Sequence, residues 1–289
     1  MTPTEHLSEH GYAIVRGFLA PDEVEELLEA LERVKKAAEP HHATWRDRNL
    51  LFEIITDPVL KQKVLLQAHW AAWIEPVLER HRRDSRYFDL LSPLLGRDIK
   101  HLTQQIHWKP PGGKFTYYRY HQDVRFREKP EVYKNLETSW ITTGLALNRQ
   151  DGENGALQVV PGSHRLGYLG LSSDGPIMTG EKRDAELQAK GIDPANVLQC
   201  ELEPGDLLMW TLYTIHGSNP NRSADHDRLF MLNSYVRAAD TPERGEWAFR
   251  DGVSTPLGPE PEICKYERLR ERPGPFYIED DWTREKPAA

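Results

Sequence analysis

The hydrophobic pattern of the chain changes in character near residue 99. Before that point, residues 21–39 carry apolar side chains at helical spacing with Glu and Lys between them, which predicts an amphipathic helix. Pro21 suits the first position of that helix. Residues 11–19 predict a short strand, and residues 57–95 are mostly helical in pattern.

After residue 99, short apolar or aromatic runs alternate with turns rich in Gly and Pro, which is typical of a β-sandwich or barrel. The predicted strands are 99–108, 115–123, 139–147, 155–160, 197–202, 206–215 and 228–236. We therefore expect one domain over residues 1–289 that is mainly β with flanking helices (α+β). It consists of a helical flank over 1–98, a β core over 99–237, and a tail over 238–289 that covers one end of the barrel or contacts a partner chain.

Composition narrows the function classes. The chain has 289 residues and a net charge of −8, which argues against nucleic acid or an anionic membrane as the main partner. The N-terminus has no signal-peptide pattern and no window is apolar enough to span a membrane, so we expect a cytoplasmic protein. Cys200 and Cys264 form no CxxC pair and are expected to be reduced thiols. The sequence leaves the oligomeric state open, and a homodimer is one alternative.

A histidine and an aspartate lie two positions apart in the strand-like stretch TYYRYHQDVRF, residues 116–126. Side chains two apart on a strand share a face, so His121 and Asp123 are expected to point the same way. Taken alone, the pair is better explained as a strand histidine hydrogen-bonded to its neighbour.

A second stretch supplies a third ligand. GDLLMWTLYTIHGS, residues 205–218, is a strand-like run that ends at His216. Two histidines and one carboxylate on one face of a metal are the facial triad of non-haem Fe(II) oxygenases, which leaves positions open for a co-substrate and oxygen. His164 is the rival for the third ligand.

Arg228 opens the apolar run RLFMLNSYV, so its guanidinium is expected inside the barrel, where it needs an anion. A guanidinium pairs with a carboxylate through two parallel hydrogen bonds. A dicarboxylate co-substrate that chelates the metal at one end would present its other carboxylate to Arg228. Arg222 is the competing candidate, and Gln105 or Gln104 is a further candidate contact to the co-substrate.

Other residues near the proposed metal are candidates for binding the substrate, although each is also explained as sheet core. Arg119 shares the parity of His121, so on a regular strand it faces inward and indicates an anionic substrate group. The alternative is an arginine paired with a core acid such as Glu153. The remaining candidates are Tyr117, Arg125, Phe126 and Trp140.

The chain resembles the phytanoyl-CoA dioxygenase family of Fe(II)/2-oxoglutarate oxygenases over roughly residues 10–237. The resemblance lies in HGYAIVRGFLAPDEVEEL, YHQD, WITTGLALNRQDGENGALQVVPGSHR, EPGDLLMW and HGSNPNRS. It implies a double-stranded β-helix, or jelly roll, that uses Fe(II), 2-oxoglutarate and O2. It also implies that His121, Asp123 and His216 bind iron, and that Arg228, helped by Ser218, holds the C5 carboxylate of 2-oxoglutarate.

One position discriminates within the resemblance. Related halogenases carry a small residue in place of the acidic ligand, whereas this chain has Asp123, which indicates hydroxylation or a related oxidation. The predicted reaction is hydroxylation of an aliphatic C–H bond in a small anionic molecule, with release of succinate and CO2. A non-catalytic jelly-roll binding module and a zinc hydrolase with the same ligands are the alternatives.

Overall fold

The computed structural model describes residues 1–56, 61–113, 116–127, 129, 131–173, 177–179, 184–260 and 274–278. The helices in these ranges are α1 (Pro3–His10), α2 (Pro21–Ala38), α3 (Pro76–His81), α4 (Ser85–Leu95) and α5 (Asp184–Ala189). Short 3-10 turns cover Ala71–Trp73, Asp123–Phe126, Ser163–Leu166, Pro194–Asn196 and Ala238–Asp240.

The strands outnumber the helices, as the sequence predicted. They are β1 (Tyr12–Val15), β2 (Trp45–Asp47), β3 (Leu50–Thr56), β4 (Lys63–His69), β5 (Ile99–Lys109), β6 (Tyr117–His121), β7 (Trp140–Ala146), β8 (Leu157–Val159), β9 (Met178–Thr179), β10 (Leu198–Gln199), β11 (Leu207–Thr211), β12 (His216–Ser218), β13 (Arg228–Arg237), β14 (Glu246–Arg250), β15 (Val253–Ser254) and β16 (Phe276–Tyr277).

Two antiparallel sheets form the body of the protein. The larger has the order β1-β11-β7-β13-β5-β4-β3-β2-β16, with β14 and β15 joined to one end of β5. The smaller has the order β10-β8-β12-β6-β9. Side chains from both sheets line one cavity between them. Strands from the helical flank, the β core and the tail all belong to the larger sheet.

Helix α2 covers the outer face of the larger sheet. Its buried residues fall at helical spacing and join the main core cluster with side chains from β5, β7 and β11. The predicted helix over 21–39 is therefore confirmed to within one residue. Pro21 begins the helix, and Glu23 accepts a hydrogen bond from the Ala20 amide.

The prediction that residues 57–95 are mostly helical is wrong in its first half. Residues Lys63–His69 form β4, which pairs with β3 and β5, and helices occupy only Pro76–His81 and Ser85–Leu95. β4 contains three consecutive apolar residues, Val64, Leu65 and Leu66, and a short apolar run of this kind cannot be told from a buried helix segment by periodicity.

Helix α1 was not predicted, although its signal is present in the sequence. Thr2 and Glu5 form a capping box around Pro3 at the first helical position. The helix is short and buries only Leu7, so hydrophobic periodicity gives no indication of it.

The described part of the tail packs on the body, because β14 pairs with β5, and Arg82 donates to the Trp247 carbonyl at 2.9 Å. Cys200 is a buried free thiol, and Cys264 lies outside the described residues. Among the helices described, none is both long enough and apolar enough to cross a membrane.

The contact between Gly144 and Phe230 generates a stability prediction. A Cβ at Gly144 would overlap Cζ of Phe230, whose ring is buried between the sheets. We expect Gly144→Ala to lower the free energy of unfolding by about 1–3 kcal/mol, as overpacked cores do, measured by urea denaturation. Gly258→Ala is the control, because a Cβ there meets no atom within 4 Å. Adding Phe230→Leu to Gly144→Ala should restore part of the lost stability. An equal loss in Gly144→Ala and Gly258→Ala would contradict this explanation.

Candidate metal centre

Two histidines face each other across a strand pair. His121 ends β6 and His216 begins β12, and they are direct partners in the antiparallel ladder. Their ring centroids are 4.2 Å apart. Each Nε2 lies 3.6 Å from Oδ1 of Asp123. The three atoms therefore converge on one point, and all lie within 4.8 Å of one another.

Backbone carbonyls set the tautomer of both histidines. His121 Nδ1 is 2.8 Å from the Arg119 carbonyl oxygen, and His216 Nδ1 is 2.9 Å from the Thr214 carbonyl oxygen. A carbonyl only accepts, so each Nδ1 carries the proton and donates it. Each Nε2 is left with a lone pair that points at the convergence point, which is the arrangement a metal ligand requires.

Asp123 reaches the same point from a turn. We expected His121 and Asp123 to share a face of one strand, but β6 ends at His121 and Asp123 begins a 3-10 turn. Gln122 fixes this turn: its amide nitrogen donates to the Gly167 and Tyr213 carbonyls, at 2.7 and 2.8 Å, and its oxygen accepts from the Leu169 amide at 2.8 Å.

A β-bulge corrects the prediction for Arg119. Tyr118 pairs with Ser218 and His121 pairs with His216, so β6 has one more residue than β12 between these two pairs. The bulge breaks the alternation, and Tyr118 and His121 both line the cavity. Arg119 instead donates to Glu186 of α5 at 2.6 Å. The expectation that Arg119 points at the metal rested on a regular strand and is wrong.

Burial and mutual electrostatics act on these ligands together. Burial, with His121 adding to it, lowers the pKa of His216 to about 4, so this imidazole is neutral near pH 7. Burial alone would raise the pKa of Asp123, but His216 and His121 outweigh it and hold that pKa below its ordinary value. The site therefore presents the neutral imidazole of His216 beside an ionised carboxylate.

The ligands open on a cavity of about 650 Å³ between the sheets. Five further predicted site residues line it: Gln105, Ser218, Arg228, Phe126 and Trp140. Three predicted residues are not among the described residues that line it. Tyr117 is buried beside β9, Arg119 binds Glu186, and Arg125 donates to the Ser172 carbonyl at 2.7 Å. The bulge and the turn direct these three side chains elsewhere.

Arg228 lies at one end of the cavity as a buried cation. It is 2% exposed, and its Nε and Nη1 have no hydrogen-bond acceptor within the described part of the chain. Burial lowers its pKa to about 10, so it is still charged near pH 7. Directly opposite in the ladder is Lys109, also buried, which donates to Ser218 Oγ at 2.6 Å. Burial and Arg228 together lower the pKa of Lys109.

The donor set fits iron(II). Two imidazole nitrogens and one carboxylate oxygen on one side of a cavity are the protein ligands of a facial triad, whose other positions face the cavity. Arg228 lines the same cavity, and two of its nitrogens lack acceptors among the described residues, so it fits the far carboxylate of a dicarboxylate co-substrate.

A family model described as phytanoyl-CoA dioxygenase (PhyH) matches residues 7–229, most of the chain. The chain belongs to the phytanoyl-CoA dioxygenase family. Similar proteins include a probable alpha-ketoglutarate-dependent hypophosphite dioxygenase of Stutzerimonas stutzeri, 26% identical over 81% of this chain and 78% of that protein. An ectoine dioxygenase of Streptomyces anulatus is 23% identical over 80% of this chain and 77% of that protein. The predicted family and enzyme class are confirmed.

The fold is shared with a solved member of this enzyme class. EctD from S. alaskensis, crystallised with 2-oxoglutarate and 5-hydroxyectoine, superimposes with a TM-score of 0.61 at 19% identity, covering 89% of this chain and 86% of that chain. The predicted jelly-roll core with flanking helices is therefore confirmed for this family member.

Several residues of the site were missed by sequence reasoning. No local pattern marks Lys109 or Gln122, and Tyr118 lies between the two predicted candidates Tyr117 and Arg119. Tyr118 lines the cavity, where Gln67 donates to its hydroxyl at 2.8 Å and His107 Nδ1 lies 3.1 Å from the same oxygen. Only the bulge exposes Tyr118 to the cavity, and only the pairing of β5 with β13 brings Lys109 to Arg228.

We expect Asp123→Ala to weaken binding of Fe(II) or Co(II), measured by anaerobic calorimetry. The loss should exceed the roughly 10–100-fold that removal of an outer-shell partner causes, because a direct ligand is removed. His164→Ala is the control, since His164 Nε2 lies 3.2 Å from the Ser8 carbonyl on α1, and the residue does not line the described cavity. Equal metal affinity of Asp123→Ala and wild type would remove Asp123 from the ligand set.

Proposed function

We propose that this family member uses Fe(II), 2-oxoglutarate and O2 to hydroxylate an aliphatic C–H bond of a small molecule. One observation carries the proposal. Two Nε2 atoms and one carboxylate oxygen converge on the wall of a cavity that also contains Arg228, whose buried N–H groups lack acceptors among the described residues. The substrate R–H and 2-oxoglutarate share one O2, and the products are R–OH, succinate and CO2.

The residues of this chain would position the metal ion and its co-substrates and would exclude water from the cavity. Iron(II), when bound with its co-substrates, supplies the oxidation of the C–H bond. His121, His216 and Asp123 would hold the ion by one face. The apolar side chains of Leu102, Leu157, Trp210, Leu212, Phe230 and Leu232 line the cavity beside them and keep water from the reacting atoms.

The far carboxylate of 2-oxoglutarate would bind at the Arg228 end of the cavity. Arg228 would supply its Nε and Nη1 donors. Because Lys109 donates to Ser218 Oγ, the serine hydroxyl hydrogen is left to point at the same carboxylate. Gln105, on the β5 wall, would contact the co-substrate or the substrate.

The two alternatives explain less of the cavity. A zinc hydrolase would use the three metal ligands, but it would leave the cationic end of the cavity without a role. A non-catalytic binding module would explain neither feature. We further propose that residues 1–289 act as one oxygenase domain, because strands from all three predicted segments join the larger sheet.

We also propose that the substrate carries an anionic group, now on the basis of Arg127 and Arg244 instead of Arg119. Arg127 lines the cavity with its guanidinium 4.5 Å from the Trp140 ring centroid and 5.7 Å from that of Tyr133. Its charge contributes to the low pKa of Asp123, so it lies within electrostatic reach of the metal ligands. Arg244 lines the same cavity and is 7% exposed.

The substrates of the relatives are compatible with a small molecule. One relative is described as acting on hypophosphite, which is an oxyanion, and another acts on ectoine. The substrate of this chain would enter past Phe126, which lines the cavity and is 47% exposed. Trp140 would form part of the pocket wall beneath Arg127.

The test of the co-substrate is an anaerobic titration with Fe(II) and then 2-oxoglutarate, which gives a visible metal-to-ligand charge-transfer band when both bind. We expect the band in wild type. Arg228→Ala should require roughly 10–100-fold more 2-oxoglutarate, because a charge-assisted pair contributes about 1.5–3 kcal/mol. Arg222→Ala is the matched control, since Arg222 is exposed. A wild-type protein that binds iron without the band would refute the proposal, and an effect in Arg222→Ala alone would reassign the carboxylate site.

The test of the anionic substrate uses pairs of short phosphonates or carboxylates and their neutral esters or amides, with substrate-stimulated O2 consumption as the readout. Wild type should prefer the anion, because Arg127 is held beside the metal ligands. Arg127→Gln should lose this preference. Arg125→Gln should keep it, because that guanidinium binds the Ser172 carbonyl instead of lining the cavity. A preference for the neutral compounds in wild type would overturn the assignment.

A further inference from the structure

The two oxygens of Asp123 have different surroundings. Oδ1 lies 3.6 Å from both histidine Nε2 atoms and so faces the metal position. Oδ2 accepts a hydrogen bond from Trp210 Nε1 at 3.3 Å. Within the described part of the chain, Oδ2 has no other donor. The indole N–H is therefore hydrogen-bonded to the oxygen that could otherwise act as a second metal ligand.

The indole is held firmly in this position. Trp210 is 0% exposed and lies on β11 between its ladder partners Tyr12 and Thr142. Its ring stacks on Phe230, with centroids 6.4 Å apart and planes at 12°, and contacts His216 at 5.4 Å. A ring packed in this way cannot turn its N–H away from Asp123 without disturbing the core.

The number of open metal positions depends on how Asp123 binds. A carboxylate can bind a metal through one oxygen or through both. With one oxygen, an octahedral ion keeps three positions, enough for a co-substrate that chelates through two atoms and for O2. With both oxygens, one of these positions is lost. A donor on Oδ2 favours the first mode, because it draws electron density from that oxygen and competes with the metal for it.

We propose that Trp210 is a positioning residue that holds Asp123 as a ligand through Oδ1 alone and so preserves the open position that O2 needs. The inference rests on the proposed function, because it assumes a metal at the three ligands. It concerns a residue that contacts the proposed ligands Asp123 and His216 without being a ligand itself. The proposed role depends on the indole N–H of Trp210, so the test removes this hydrogen-bond donor and keeps the shape of the ring.

The experiment replaces Trp210 with benzothienylalanine by site-specific incorporation, which keeps the bicyclic ring and exchanges the N–H for sulfur. The matched control is the same replacement at Trp108, which packs in the main core and does not line the described cavity. Each protein is titrated anaerobically with Co(II) and then with 2-oxoglutarate. The readouts are the Co(II) d–d absorption, which reports coordination number, and the two dissociation constants.

In the Trp210 analogue, we expect a changed d–d intensity and a dissociation constant for 2-oxoglutarate about tenfold higher, the range for losing a hydrogen bond to a charged group. The Trp108 analogue should match wild type. An unchanged spectrum and unchanged affinities at position 210 would overturn the inference. A wild-type protein that binds neither Co(II) nor 2-oxoglutarate would refute the proposed function instead, so the two failures are distinguishable. Because the analogue keeps the ring's shape, the result does not depend on whether Trp210→Phe folds.

Discussion

The antiparallel pairing of β6 with β12 is the contact on which the rest of the site depends. It places His121 directly opposite His216, and for each histidine the carbonyl two residues earlier in the chain accepts the Nδ1 proton. A shift of the register by one residue would turn one imidazole to the other face of the sheet and separate the ligands. The β-bulge in this strand pair requires a glycine at position 217 of the facing strand β12. A Cβ at Gly217 would lie 2.8 Å from the Tyr118 carbonyl oxygen, closer than real Cβ atoms come.

The buried basic pair of Lys109 and Arg228 lowers the stability of the ligand-free protein. Lys109 and Arg228 are both buried and are partners in the ladder, so two basic groups lie side by side away from water. Neither forms a salt bridge within the described residues, so folding must desolvate two basic groups without a carboxylate. An anionic ligand between them would offset that cost. Under the proposed function, the cost of burying these groups in the free protein is recovered when the carboxylate of the co-substrate binds.

The predictions that the structure corrects are those that assumed a regular helical or strand periodicity where the chain is irregular. The pattern of β4 predicts a helix because Val64, Leu65 and Leu66 are consecutive apolar residues that show no strand alternation. Arg119 was assigned to the cavity because alternation was assumed to continue through β6, whereas the bulge directs it to Glu186. Asp123 was placed on the strand and instead lies in a turn fixed by Gln122. The metal ligands nevertheless converge, because a turn after His121 can bring a carboxylate to the same point.

The sequence by itself determined the family, the mainly β core and the chemical types of the metal ligands and of the buried arginine. These features are local, since a motif, a strand run or a capped helix is specified by residues close together in the chain. Only the tertiary structure decided which side chains share the cavity. Lys109 meets Arg228, Trp210 meets Asp123, and Arg127 meets Trp140 through strand register, a bulge and a turn. These arrangements depend on packing between segments distant in sequence, and no local pattern encodes it.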